Sequence, residues 1–296
     1  EELESVLDSS RGSYTGIGAT LAQDGQSGTI TVNDVYENTP ASEAGLQVGD
    51  ELLAIDDTAL TDVQLSDLVS MIKSEDGDFS ITVYRPSDKK EVILPIMLGD
   101  VELQKVSYEM KQNGIGYIKI EEFTETAVDQ FCEAVEALEA QNMQALIVDL
   151  RDNPGGLMDQ GIEVADMLLP ECTITHTEDK NGKTEYYNSD ESCTKLKYAV
   201  LINENTASAS EIVAAAIKDN QGGPLIGTTT FGKGIIQGSM EFKDETALKL
   251  TIMQYLSPEG NQINGVGVKP DYKVKMSQDG KKDSQLRKAL NLLKDG

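Results

Sequence analysis

The sequence predicts an α/β (α+β) chain in two parts, a small β-rich domain followed by a larger α/β domain. Three observations carry this expectation. The 296 residues leave room for about two domains. Short strand-like runs broken by tight turns fill 16–98. From 99 onward the rhythm changes to strand–helix alternation. The expected spans are 1–15, an N-terminal piece of the larger core or a linker, then 16–98 and 99–296.

Residues 1–15 open with a helix-like stretch and pass into Ser9, Ser10, Gly12 and Ser13, a loop composition. Residues 18–21, 28–35, 51–55 and 78–85 read as strands. Leu65, Leu68, Val69 and Ile72 form one face of a helix. In the second part, 116–120, 145–150, 197–202, 225–227, 235–242 and 247–255 read as strands. Residues 127–140, 160–169, 208–218 and 284–293 read as helices.

Composition narrows the function classes. Lys+Arg 25 against Asp+Glu 51 gives a net charge of −26. Such a surface repels phosphate backbones and anionic headgroups, so no nucleic acid is expected as a partner and a polypeptide suits it better. No run approaches the roughly 20 apolar residues of a membrane span. The chain opens Glu1-Glu2-Leu3 without Met, which suggests a mature or trimmed form. Of the three cysteines, Cys132 falls on the apolar face of the 127–140 helix. Cys172 and Cys193 flank a hairpin around Asn181-Gly182, where they either form a disulfide or remain two thiols. No spacing suits a zinc site, and no metal or cofactor is expected.

Tyr14-Thr15-Gly16-Ile17-Gly18-Ala19 is a glycine turn leading into a strand, and its amides can cradle a carboxylate. The string Pro40-Ala41-Ser42-Glu43-Ala44-Gly45-Leu46-Gln47-Val48-Gly49-Asp50 continues to Ile55-Asp56. It resembles PDZ domains. That resemblance implies a C-terminal tail adding as a strand beside Gly16, Ile17, Gly18 and Ala19. Its last side chain would enter an apolar pocket lined by Ile17 and by Leu65, Leu68, Val69 and Ile72. The same helix face also belongs to the core.

A Ser-His-Asp triad finds no support: the lone histidine, His176, sits on a hairpin strand and reads as a surface residue. A serine can instead be activated by a neutral lysine. In Asn205-Thr206-Ala207-Ser208-Ala209-Ser210-Glu211-Ile212 a strand gives way to an Ala-rich helix. At such a turn Ser208 is presented beside free amides and the positive helix end, which favour an oxyanion. Ser208 and Glu211 also spell a capping box, the plain structural alternative. In Phe231-Gly232-Lys233-Gly234-Ile235-Ile236-Gln237, glycines allow close approach to Lys233, and Gln237 can orient its amine. A general base must present a neutral amine, which calls for burial. Residues 227–233 spell most of a phosphate-binding GxxxxGK. Position 234 is glycine where Ser or Thr would hold magnesium, and a strand follows where a helix should, so nucleotide binding is discounted.

Together these strings resemble the C-terminal processing (tail-specific) peptidases, Ser/Lys enzymes with an embedded PDZ domain. By resemblance Ser208 is the nucleophile, Lys233 the general base and Gln237 its support. A third family string appears as Asp149-Leu150-Arg151-Asp152-Asn153-Pro154-Gly155-Gly156, which implies an oxyanion hole from the amides of Gly156 and Ala209. Tyr255-Leu256-Ser257-Pro258-Glu259-Gly260 and residues 265–270 match as well. The implied activity is a serine endopeptidase acting on protein or peptide substrates with apolar C-terminal tails. The implied setting is extracytoplasmic, often tethered by an N-terminal segment and often homo-oligomeric. An arginine at the Arg85-Pro86 position implies coupling to the catalytic domain, the alternative being a surface arginine paired with an acid. A non-catalytic PDZ scaffold is the competing function.

Overall fold

The computed structural model describes residues 11–75, 77–242, 247–277 and 282–294; the helix-like start expected over 1–10 lies outside them. Two compact units divide the chain, Ser13–Leu103, and Gln104–Gly296 with the stretch through Gly12. The first unit runs slightly wider than 16–98 because β1 (Ser13–Gly16) pairs antiparallel with a strand at its other end.

In the first unit β2 (Ala19–Gln23) and β3 (Ile30–Val35) are followed by the short helix α1 (Pro40–Ala44). Thr39 caps that helix, Pro40 starts it and Gly45, at φ 82°, ends it. Then come β4 (Glu51–Ile55), β5 (Thr58–Ala59), α2 (Leu65–Ser74), β6 (Asp78–Arg85), β7 (Lys90–Met97) and β8 (Gly99–Glu102). The sheet order is β2-β3-β4-β6-β7, with β5 beside β4 and β1 paired to β8. Along β6, Phe79, Ile81 and Val83 alternate into a core shared with Ile30, Val32, Leu52, Ile55, Leu68 and Ile72.

In the second unit β9 (Val106–Lys111), β10 (Ile115–Ile120), α3 (Ala127–Glu139), β11 (Ala145–Asp149) and α4 (Met158–Leu168) come first. A hairpin of β12 (Thr173–Asp179) and β13 (Thr184–Asn188) follows, turned by Gly182 at φ 78°. Next are β14 (Lys197–Ile202), α5 (Ala209–Asp219), β15 (Leu225–Gly227), β16 (Ile235–Glu241), β17 (Ala247–Leu256), β18 (Tyr272–Lys273) and α6 (Ser284–Leu293). The main sheet runs β18-β15-β14-β11-β10-β9, parallel except where β9 opposes β10. A second, antiparallel sheet runs β13-β12-β17-β16.

Both faces of the parallel sheet are covered, which is why its strands are continuous apolar runs. In β11, Leu146 and Val148 pack with α3, α4 and α5, whereas Ala145 and Ile147 pack with α6. Among the strands that the hydrophobic pattern did not mark, the two longest, Lys90–Met97 and Val106–Lys111, are both sheet edges. An edge strand needs less apolar content, and β7 tolerates Pro95 for the same reason. His176 corrects an expectation: it is 8% exposed rather than a surface residue, because β12 lies between β13 and β17, and its ring stacks on Tyr186 at 5.0 Å.

Candidate active site

The loops that leave the carboxyl ends of β10, β11, β14 and β15 hold Phe123, Asn153–Gly156, Ser208 and Lys233 respectively, the edge at which open parallel sheets place their ligands. Ser208, half-buried, is the residue before α5, with φ 56° and ψ −122°. A non-glycine residue rarely adopts that backbone, so the surroundings must impose it. Thr206 Oγ1 donates to the Leu150 carbonyl at 2.7 Å, and the Ala207 amide donates to the Asn153 carbonyl at 2.9 Å. These bonds tie the β14 loop to the β11 loop.

Asn153 is fully buried and reaches a third loop. Its Nδ2 donates to the Ile120 carbonyl at 3.0 Å, while its Oδ1 accepts from the Gly155 amide at 2.8 Å. Gly155 and Gly156 sit at φ 103° and 130° and press against their neighbours. A β-carbon at 156 would stand 2.2 Å from the Phe123 carbonyl oxygen, and one at 155 would stand 2.9 Å from the Ala209 nitrogen. Among the described residues, the amides of Gly156 and Ala209 donate to no protein acceptor. Two free N–H groups on adjoining segments, one at a helix N-terminus, are what an oxyanion requires.

Lys233, also half-buried, is brought to Ser208 by a residue that the sequence marks only as a cap. Glu211 is fully buried. Its Oε2 accepts from the Ser208 amide at 3.0 Å and from the Lys233 amide at 2.7 Å. Its Oε1 accepts from the Gly232 amide at 2.7 Å and from Thr230 Oγ1 at 2.5 Å. Two bonds through one oxygen hold the Ser208 and Lys233 backbone nitrogens within about 6 Å of each other. The Phe231 amide adds a bond to the Thr206 carbonyl at 3.0 Å. The buried Tyr255 hydroxyl donates to the Lys233 carbonyl and lies against the Ser208 side chain. Burial, and after it the negative charge of Glu211, raises the Tyr255 pKa, so this hydroxyl stays a proton donor. Glu211, Tyr255 and Asn153 were all visible in the motif strings, but their long-range partners were not.

Gln237 is not brought to Lys233. Its side chain is exposed, and no hydrogen bond joins the two among the described residues. Four residues along a regular strand would share a face, but a register shift between Ile236 and Gln237 breaks that phase. The Asp149–Gly156 string also divides in two. Its second half forms the loop above, whereas Arg151 turns to Asp149 at 2.5 Å and to Asp283, the N-cap of α6, at 2.8 Å.

In the first unit a groove of about 270 Å³ lies between β2 and α2, lined by Tyr14, Gly16, Ile17, Ala19, Leu65, Val69 and Ile72 among others. Gln23 sets its direction, accepting from the Leu65 amide at 3.1 Å and donating to the Val63 carbonyl at 2.8 Å. The start of α2 therefore lies at the end of β2, and Ile72 lies towards the glycine turn. The amides of Ile17 and Gly18 have no acceptor among the described residues. One residue departs from expectation, and one has a further role. Leu68 is fully buried core and does not line the groove. Gly18 serves the turn by close approach, since a β-carbon there would stand 2.3 Å from the Thr39 β-carbon.

Arg85, expected either to couple to the second unit or to pair with an acid at the surface, is buried within the first unit. Its Nε and Nη2 bind both oxygens of Asp50 at 2.8 and 2.7 Å, and Nη2 also donates to the Gly45 carbonyl at 2.8 Å. It continues the inward phase of Phe79, Ile81 and Val83, which is the physical reason. Cys172 and Cys193 are free thiols and form no disulfide. Cys172 Sγ turns to Ser189 Oγ at 3.2 Å and Cys193 Sγ is 3.6 Å from Lys195 Nζ.

Fold and site define a two-unit α/β chain, with a PDZ-like unit and a serine–lysine cluster at the ends of parallel strands. The chain belongs to peptidase family S41, whose family model matches residues 114–274, and the PDZ domain model matches 31–85. It is 32% identical over 93% of its length to the carboxy-terminal processing protease CtpA of Bacillus subtilis, covering 59% of that protein. It is 30% identical over its whole length to the carboxyl-terminal-processing protease of Synechocystis, covering 72% of it. Among solved structures, a photosystem II D1 C-terminal processing protease matches 96% of this chain and 77% of its own, with 27% identity and a TM-score of 0.55. The chain thus spans between half and three quarters of these curated relatives.

Proposed function

We propose that the chain is a serine endopeptidase in which Ser208 is the nucleophile and Lys233 the general base. The observation that carries this reading is the shared Glu211 Oε2, which binds the Ser208 and Lys233 amides together beside the two free amides of Gly156 and Ala209. Neutral Lys233 Nζ takes the hydroxyl proton as Ser208 Oγ bonds to the scissile carbonyl carbon. The carbonyl oxygen, now negative, is held by the Gly156 and Ala209 amides, each such donor contributing about 2.7–4 kcal/mol. Collapse breaks the C–N bond, and the lysine returns its proton to the leaving amine. A water, deprotonated by Lys233, then releases the acyl group and restores the serine.

The groove of the first unit selects the substrate on this reading. A C-terminal tail pairs with the open edge of β2, its carboxylate meets the Ile17 and Gly18 amides, and its last apolar side chain enters between Ile17, Val69 and Ile72. Gln237 supports the lysine only once it reorients. The relatives' names, carboxy-terminal processing proteases, favour protein substrates cut near their C-termini. The test is a fluorophosphonate label followed by peptide mapping. Label on Ser208 is expected, and an unlabelled, folded chain that still binds tails would establish a scaffold instead.

A further inference from the structure

We infer that Glu211 is a positioning residue that locks the nucleophile and base segments into one unit, beyond its role as a helix cap. The inference rests on the Ser208/Lys233 reading above. A helix cap needs a carboxylate that serves its own first turn. Glu211 does that with the Ser208 amide alone and directs its remaining capacity elsewhere: Lys233, Gly232 and Thr230 supply the other three donors. Each oxygen takes two donors, so the four acceptor sites of an ionised carboxylate are filled.

No other side chain reproduces that pattern. A glutamine offers one acceptor oxygen and would turn its NH2 group towards two buried N–H donors. An aspartate is one methylene short of spanning both segments. Thr230 is itself buried and relays the contact, because its Oγ1 also accepts from the Val268 amide at 2.7 Å. The Glu211 carboxylate itself bonds to no reacting atom in this arrangement. It fixes where the Ser208 and Lys233 backbones stand relative to each other, and a displacement near 1 Å between reacting groups lowers rates by about a hundred-fold.

The experiment compares the parent with Glu211→Gln and with the milder Thr230→Val. It measures kcat and KM on a tail-bearing protein substrate, the fluorophosphonate labelling rate and thermal melting, with tail-peptide binding to the groove as a control. For Glu211→Gln kcat should fall about a hundred-fold, with KM within about three-fold and labelling slowed in parallel. Thr230→Val should melt cooperatively and lose about ten-fold in kcat. A merely structural cap predicts a lower melting temperature with kcat per folded molecule unchanged. A folded variant whose kcat stays within about three-fold of the parent therefore overturns the inference. Should Glu211→Gln not fold, Thr230→Val decides by the same criterion. A parent not labelled at Ser208 would overturn the underlying serine–lysine reading, a distinct result.

Discussion

Gly155 is packed so closely on Ser208 that a β-carbon at 155 would stand 2.6 Å from the Ser208 β-carbon and 2.7 Å from the Ala207 carbonyl oxygen. Both obstacles belong to the loop that presents the serine, so neither can move aside without moving the proposed nucleophile. Gly155 also sits at φ 103°, where an alanine is strained. Gly155→Ala should fold yet lose about a hundred-fold or more in labelling rate. A normal rate in that variant would show that the loop yields freely.

Ser208→Ala should abolish cleavage, whereas Ser210→Ala should retain most of it. Ser210 is buried, with its Oγ 3.4 Å from the Asn153 carbonyl, and so faces away from an incoming chain. Stability separates a third variant from these. Ser208→Gly should melt above Ser208→Ala by about 1 kcal/mol or more, because glycine accepts φ 56° and ψ −122° without strain. Equal melting curves would mean that the turn stores no strain.

Lys233→Ala should be as damaging as the loss of Ser208, since the same loops hold no second lysine and no histidine. Gln237→Ala should cost less, about ten-fold at most, because its exposed side chain holds nothing in this arrangement. Steady-state rates on one substrate decide the order. A loss at Gln237 equal to that at Lys233 would indicate that the strand shifts its register when substrate arrives.

Arg85→Ala should destabilise the first unit by about 1–3 kcal/mol, by removing the guanidinium and leaving the buried Asp50 carboxylate with the Gln47 amide alone. Arg85→Lys should recover little, because an ammonium cannot make the two-pronged contact. Urea melts of the three proteins give the comparison. Stability unchanged in Arg85→Ala would make the pair ornamental.

The sequence revealed those parts of the molecule in which local pattern and tertiary role coincide. The runs 51–55, 78–85, 197–202 and 225–227 became strands with those bounds, since each is apolar on the faces it buries. Ser208 and Lys233 were legible because glycines and a strand-to-helix turn mark where backbone must come close. Glu211 was visible as a cap but not as the hub between segments, because Thr230, Gly232 and Lys233 reach it only after the sheet forms. The orientation of Gln237 was not legible, because a bulge leaves no trace in spacing. The burial of Arg85 was open to reading from the pattern, since it follows Phe79, Ile81 and Val83 at every second position.

The loops that carry Phe123, Asn153, Ser208 and Lys233 follow four different strands, and their mutual bonds join residues far apart in the chain. Such contacts form late in folding, after the cost of closing long loops has been met. A chain still on the ribosome, or one that has misfolded, therefore carries the serine and the lysine as two unrelated surface residues. On the serine–lysine reading, cutting power arrives only with the finished sheet, so an unfinished copy meets its neighbours without being able to cut them.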